Sequence, residues 1–96
     1  PGHAFYKRDF TGTGGLFSFL FDGKYTGGQI DRFIESLTLF GLGYSWGGTH
    51  SLAVPYAISD KRIGWKLPQR HVVRLYIGLD DPHDLIADLE QAMAKM

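Results

Sequence analysis

Arg74 stands in the run His71-Val72-Val73-Arg74-Leu75-Tyr76-Ile77-Gly78, where Val73, Leu75 and Ile77 alternate with Val72, Arg74 and Tyr76. A guanidinium in the middle of such a strand needs a partner, because an unpaired charge withdrawn from water is expensive. Two arrangements satisfy it. The side chain can snorkel to solvent from the outer face of a half-covered sheet, or pair with Asp80 or Asp9. Alternatively it can hold a fork of donors open for a carboxylate, whose two oxygens a guanidinium matches in parallel. Spacing alone leaves both open.

Tyr44-Ser45-Trp46-Gly47-Gly48 poses the same choice. Trp46 can be a core or rim aromatic beside a Gly-made bulge. Equally, the glycines can let backbone amides approach a ligand, with Ser45 offering a hydroxyl and Trp46 a wall that carries an indole donor.

Other chemistries find little support. Gly12-Thr13-Gly14-Gly15 leads into a strand pattern, so the helix N-terminus that would hold a phosphate is missing. His3, His50, His71 and His83 have no metal-binding spacing, and no metal is expected. Asp80, Asp81 and Asp84 read as carboxylates gathered at a helix N-terminus rather than as a hydrolytic pair.

The elements that must position Arg74 and Ser45 follow from periodicity. Leu16-Phe17-Ser18-Phe19-Leu20-Phe21 predicts a buried strand with its three phenylalanines on one face, closed by a turn at Asp22-Gly23. Thr26 and Gln29 have the spacing of a capping box. Ile30, Phe33, Ile34, Leu37 and Phe40 then predict one helical face, stopped by Gly41 and Gly43. Leu52-Ala53-Val54 predicts a short strand closed by Pro55, and residues 56–70 a surface loop around Pro68. Asp81-Pro82 combines an N-cap with proline at the first helical position, and Leu85, Ile86, Leu89, Ala92, Met93 and Met96 form the apolar face of a last helix. This order predicts an α+β fold: a small antiparallel or mixed sheet with helices on one side.

The 96 residues suffice for one small domain, residues 1–96, with 44% hydrophobic content for its core. Ten basic and ten acidic residues cancel, which argues against nucleic acid or an anionic membrane as partner. Cysteine is absent, excluding disulfides and thiol catalysis and fitting a reducing cytoplasm. No apolar run is long enough to cross a bilayer. The opening Pro1-Gly2-His3, without methionine, reads as a piece whose beginning lies elsewhere.

Three stretches taken together resemble a known family. They are Lys7-Arg8-Asp9-Phe10-Thr11-Gly12 with Gly15-Leu16-Phe17-Ser18-Phe19; Leu39-Phe40 through Tyr44-Ser45-Trp46-Gly47-Gly48 to Ser51-Leu52; and Arg74 through Pro82 with Asp84 to Leu89. In order and over nearly the whole chain, they are similar to the C-terminal domain of the cystathionine β-lyases, in the Cys/Met-metabolism family of fold type I pyridoxal-phosphate enzymes. Where that family has glutamate in its GGxESL segment, this chain has His50.

The resemblance implies a small C-terminal domain that closes over a cofactor held by a larger domain. It implies that Arg74 binds the substrate's α-carboxylate, and that Ser45 and Trp46 line the same site, with Tyr44 only their neighbour. It places no catalytic residue here, because the Schiff-base lysine, the phosphate-binding loop and the aspartate for the pyridine nitrogen belong to the other domain. Lys7, Lys24, Lys61, Lys66 and Lys95 lack that lysine's context, so the chain alone should be inactive. The intact enzyme would be a cytoplasmic homo-oligomer using pyridoxal phosphate for α,β-elimination on cystathionine or another L-cysteine conjugate, releasing a thiol, pyruvate and ammonia. Trp46 favours a β-lyase over its γ-acting relatives. From the residues alone, a free-standing α+β module that binds a small carboxylate or dimerises stays open.

Overall fold

The computed structural model describes residues 2–45, 47–58 and 70–96. Trp46, Lys61, Lys66 and residues 59–69 of the loop expected around Pro68 lie outside these described residues, whereas residues 56–58 and 70 of that expected loop belong to strands, because the flanking strands continue their ladder through them. Four strands form one mixed sheet in the order β1-β4-β3-β2, with β1 at Leu16–Leu20, β2 at Gly41–Leu42, β3 at Leu52–Ile58 and β4 at Arg70–Tyr76. β4 lies antiparallel to both β1 and β3, and β2 runs parallel to β3. The helices are α1 at His3–Asp9, α2 at Gly27–Ser36 and α3 at Pro82–Met93.

Alternation along β4 divides the sheet into two faces. Val73 and Leu75 are fully buried and join Ile30, Phe33 and Ile34 of α2 and Leu85 and Ala92 of α3 in one core cluster. Opposite them in the ladders stand Phe17, Phe19 and Ala53. Arg74, Tyr76 and Val72 point to the other face, beside Ser18, Val54 and Tyr56. Both core helices therefore cover one face, and Arg74 belongs to the face they leave open.

Several expectations are corrected in detail. β1 is an edge strand rather than a buried one: Phe17 is 41% exposed, while Phe21, just past the strand, is buried with Phe33. The Thr26 capping box forms, with Thr26 N–H donating to Gln29 Oε1 at 2.8 Å and Gln29 N–H to Thr26 Oγ1 at 3.2 Å. α2 then stops at Ser36, well before Gly41. The cause is Asp88, whose carboxylate accepts the amides of Thr38 at 2.9 Å and Leu39 at 2.8 Å, donors that a continuing helix would have sent to its own carbonyls. Leu37 and Phe40 remain buried, but outside the helix.

β3 passes through Pro55 instead of ending there. Gly41 N–H donates to Ser51 O, so by the two-residue alternation the backbone of Ala53 and Pro55 also faces the β2 side. β2 pairs with Leu52 and Ala53, so the missing Pro55 N–H falls on an open edge. In α3, Asp81 caps by accepting from His83 N–H at 2.8 Å, and Pro82 opens the helix. Leu85 and Ala92 face inward, but Ile86 and Met93 are 52% and 46% exposed, and Asp88 takes the inward place between. α1, which no sequence signal marks, buries none of its residues.

Candidate carboxylate site on the open face of the sheet

Arg74 is half-buried at the centre of the open face, flanked by Ser18 on β1 and Val54 on β3. Its Nη2 donates to the carbonyl oxygen of Tyr44, and its guanidinium lies 5.9 Å from the centre of the Tyr56 ring. Tyr56 meets Tyr44 edge-on with ring centres 6.1 Å apart, so one aromatic corner supports both the arginine and the segment it grips.

Of the two acids weighed from the sequence, Asp80 and Asp9, neither pairs with Arg74. Asp80 accepts the Ser51 hydroxyl at 2.7 Å, and Asp9 is held by Arg8 at 2.7 and 2.9 Å. Among the described residues the sole ion pair is Arg8–Asp9. A half-buried guanidinium that, among the described residues, meets one neutral carbonyl and an aromatic ring keeps N–H donors for an oxyanion, and its planar fork matches the paired oxygens of a carboxylate. The structure thus decides against the intramolecular pairings with Asp80 and Asp9.

The segment facing Arg74 is shaped by its glycines and held by β4. Gly47 has φ +86°, in the left-handed region where a side chain is strained, and this reverses the chain directly after residue 46. Tyr76 Oη donates to Gly48 O at 3.0 Å, Leu79 N–H to Thr49 O at 2.9 Å, and Gly78 N–H to Ser51 Oγ at 3.0 Å. Gly78 approaches so closely that an added Cβ would collide with the carbonyl of Thr49. Ser51 is the fully buried clasp of this crossing, accepting from Gly78 and donating to Asp80.

Ser45 follows the carbonyl that Arg74 holds and is exposed, so the structure brings these two predicted residues to one place. Trp46, the third, lies outside the described residues. An open cleft of about 510 Å³ borders the segment, lined by Ser45, Gly47, Gly48 and His50 together with Leu42 and Leu52. Sequence reasoning missed Tyr44 O, Tyr56 and Tyr76 as parts of this site. Only the alternation of β4 signals Tyr76, two residues from Arg74, and nothing local signals Tyr56, because Pro55 argues against a strand there.

Residues 1–94 match the family of Cys/Met metabolism PLP-dependent enzymes. This chain belongs to that family. It is 41% identical to cystathionine beta-lyase MetC of Escherichia coli (strain K12) over 99% of its own length and 25% of the relative's. It is 42% identical to cystathionine beta-lyase of Salmonella typhimurium (strain LT2), again over 99% of this chain and 25% of that one. In three dimensions it is similar to metB from Corynebacterium glutamicum, with TM-score 0.70 and 32% identity over 98% of this chain and 25% of that one. The chain thus spans about a quarter of the length of the relatives it matches.

Pyridoxal phosphate is the cofactor of this family, and the described residues do not make a seat for it. Lys24 lies over the Tyr25 ring, on the side where Tyr25 packs against Phe21 and the core. Lys95 follows α3 on that same helix-covered side, and Lys7 sits in the exposed α1. Among the described residues no lysine bonds to any group around Arg74, so a covalent anchor is lacking there. No helix of the described residues is long and apolar enough to cross a membrane, and no cluster there could hold a metal.

Proposed function

We propose that this chain is the C-terminal, substrate-orienting domain of a pyridoxal-phosphate-dependent carbon-sulfur lyase that performs α,β-elimination on cystathionine or a similar L-cysteine conjugate. The observation that carries the reading is the half-buried Arg74 guanidinium, gripping a backbone carbonyl but no carboxylate among the described residues. Arg74 receives the substrate's α-carboxylate through parallel hydrogen bonds, and Ser45 offers its hydroxyl beside it. Trp46 walls the same site. Fixing one end of the amino acid lowers the entropic part of the barrier for chemistry that the cofactor, held by the remainder of the enzyme, supplies.

The names of the relatives support the choice of substrate class, and the exposed aromatic and aliphatic residues Tyr44, Tyr56, Leu16 and Leu20 support a larger body lying against the open face. The intact enzyme works as a homo-oligomer, and the chain alone is inactive, a reading supported by the lack of a lysine at the site among the described residues.

Arg74→Ala in the intact enzyme tests the reading. The Michaelis constant for cystathionine rises about tenfold or more. An unchanged constant refutes the carboxylate assignment.

A further inference from the structure

β4 does more than present Arg74. Its side chains and continuation meet the 44–51 segment through Arg74 at Tyr44 O, Tyr76 at Gly48 O, Leu79 at Thr49 O and Gly78 at Ser51 Oγ. Between the first and third of these ties the segment has little packing: a Cβ added at Gly47 or Gly48 would meet nothing within 4 Å. Between the ties at Tyr44 O and Thr49 O, the Tyr76 hydroxyl holds Gly48 O.

We propose that Tyr76 is a positioning residue: by donating its phenolic hydrogen to Gly48 O, it steadies the segment that Arg74 grips at Tyr44 O, so that Ser45 and Arg74 share one carboxylate. Both side chains leave the same face of one strand, two residues apart, so the spacing between the turn and the guanidinium is set by a rigid strand repeat. Without the phenol oxygen the segment keeps only its flanking ties at Tyr44 O and Thr49 O, and the carboxylate meets a site that must be ordered further on binding.

The inference rests on the proposed role of Arg74, and its test separates the two. Tyr76→Phe keeps the ring and deletes only the donor. In the intact enzyme it raises the Michaelis constant for cystathionine about fivefold and leaves kcat within about twofold, as expected for one hydrogen bond acting in substrate binding. The carboxamide analogue of the substrate shows no such rise, because its amide lacks the charge that the turn and Arg74 hold together. In the 96-residue chain, the amides of Gly78 and Leu79, which donate to Ser51 Oγ and Thr49 O, exchange faster in the variant. If Arg74→Ala raises the constant while Tyr76→Phe changes neither it nor the exchange, the inference falls and the proposed function stands. An equal rise for substrate and carboxamide also overturns it, and Arg74→Ala without effect overturns both.

Discussion

Asp88 offers the sharpest quantitative test of how the site is built. It is 4% exposed, yet among the described residues it forms no ion pair. Its oxygens accept from Thr38 N–H at 2.9 and 3.1 Å, Leu39 N–H at 2.8 Å, Phe40 N–H at 3.3 Å, Thr38 Oγ1 at 3.0 Å and Gln91 Nε2 at 3.0 Å. Asp88→Ala removes the acceptor of two short amide bonds to a charge, each worth about 1.5–3 kcal/mol. Water can reach part of the exposed Thr38–Leu39 turn, and the variant no longer buries a charge, so a net loss of about 3 kcal/mol is expected. For a domain whose whole stability is of order 5–15 kcal/mol, that is a large fraction. Asp88→Asn should lose only about 1 kcal/mol. Its one oxygen can serve Leu39, Phe40 and Thr38 N–H, and its new amide can donate to Thr38 Oγ1, so that only the bond from Gln91, which keeps Ser36 O, is lost. Urea unfolding followed by circular dichroism reads both. A loss under about 1 kcal/mol for alanine, or equal losses for the two variants, would refute the view that this carboxylate terminates α2 and launches the segment leading to Ser45.

Burial opposes the charge of Asp88, but the bonds from Thr38, Leu39 and Gln91 more than offset it and hold the carboxyl below its ordinary 3.8. Its contribution is therefore complete above that value and is lost as pH falls through the lower folded value, so acid titration of unfolding should be shallower in Asp88→Asn than in the parent. Gly78→Ala drives a methyl into the Thr49 carbonyl, and since backbone must shift, a loss of about 3 kcal/mol is expected in the melting curve. Thr26→Ala breaks the capping box and should lower stability by about 1 kcal/mol, measured by the same unfolding transition.

Much of the frame was legible because local chemistry and tertiary demand coincide. Thr26 and Gln29 cap α2, Asp81 and Pro82 open α3, and the alternation of β4 puts Val73 and Leu75 inward and Arg74 outward, as their types suggest. Failures occur where a distant residue overrides the local pattern. The apolar spacing from Ile30 to Phe40 is helical throughout, yet a carboxylate about fifty residues downstream takes the amides that would have extended the helix. Pro55 looks like a terminator until β2 is seen to pair with only the first residues of β3. For the candidate site, Arg74 and Ser45 come together at one segment, whereas the neighbouring places of Tyr56 and Tyr76 were not legible, because they depend on ladder register and on a carbonyl that sequence cannot place.

Pro55 bears on behaviour outside the active site as well. A strand flank with an unbroken row of donors and acceptors invites a foreign chain to add itself, the first step towards fibrils and other unwanted assemblies. Along the stretch that β2 leaves bare, one donor is missing at Pro55, so an incoming strand would lose a rung of its ladder at mid-length. The same residue that disguises β3 from sequence reading thus guards that flank against recruitment.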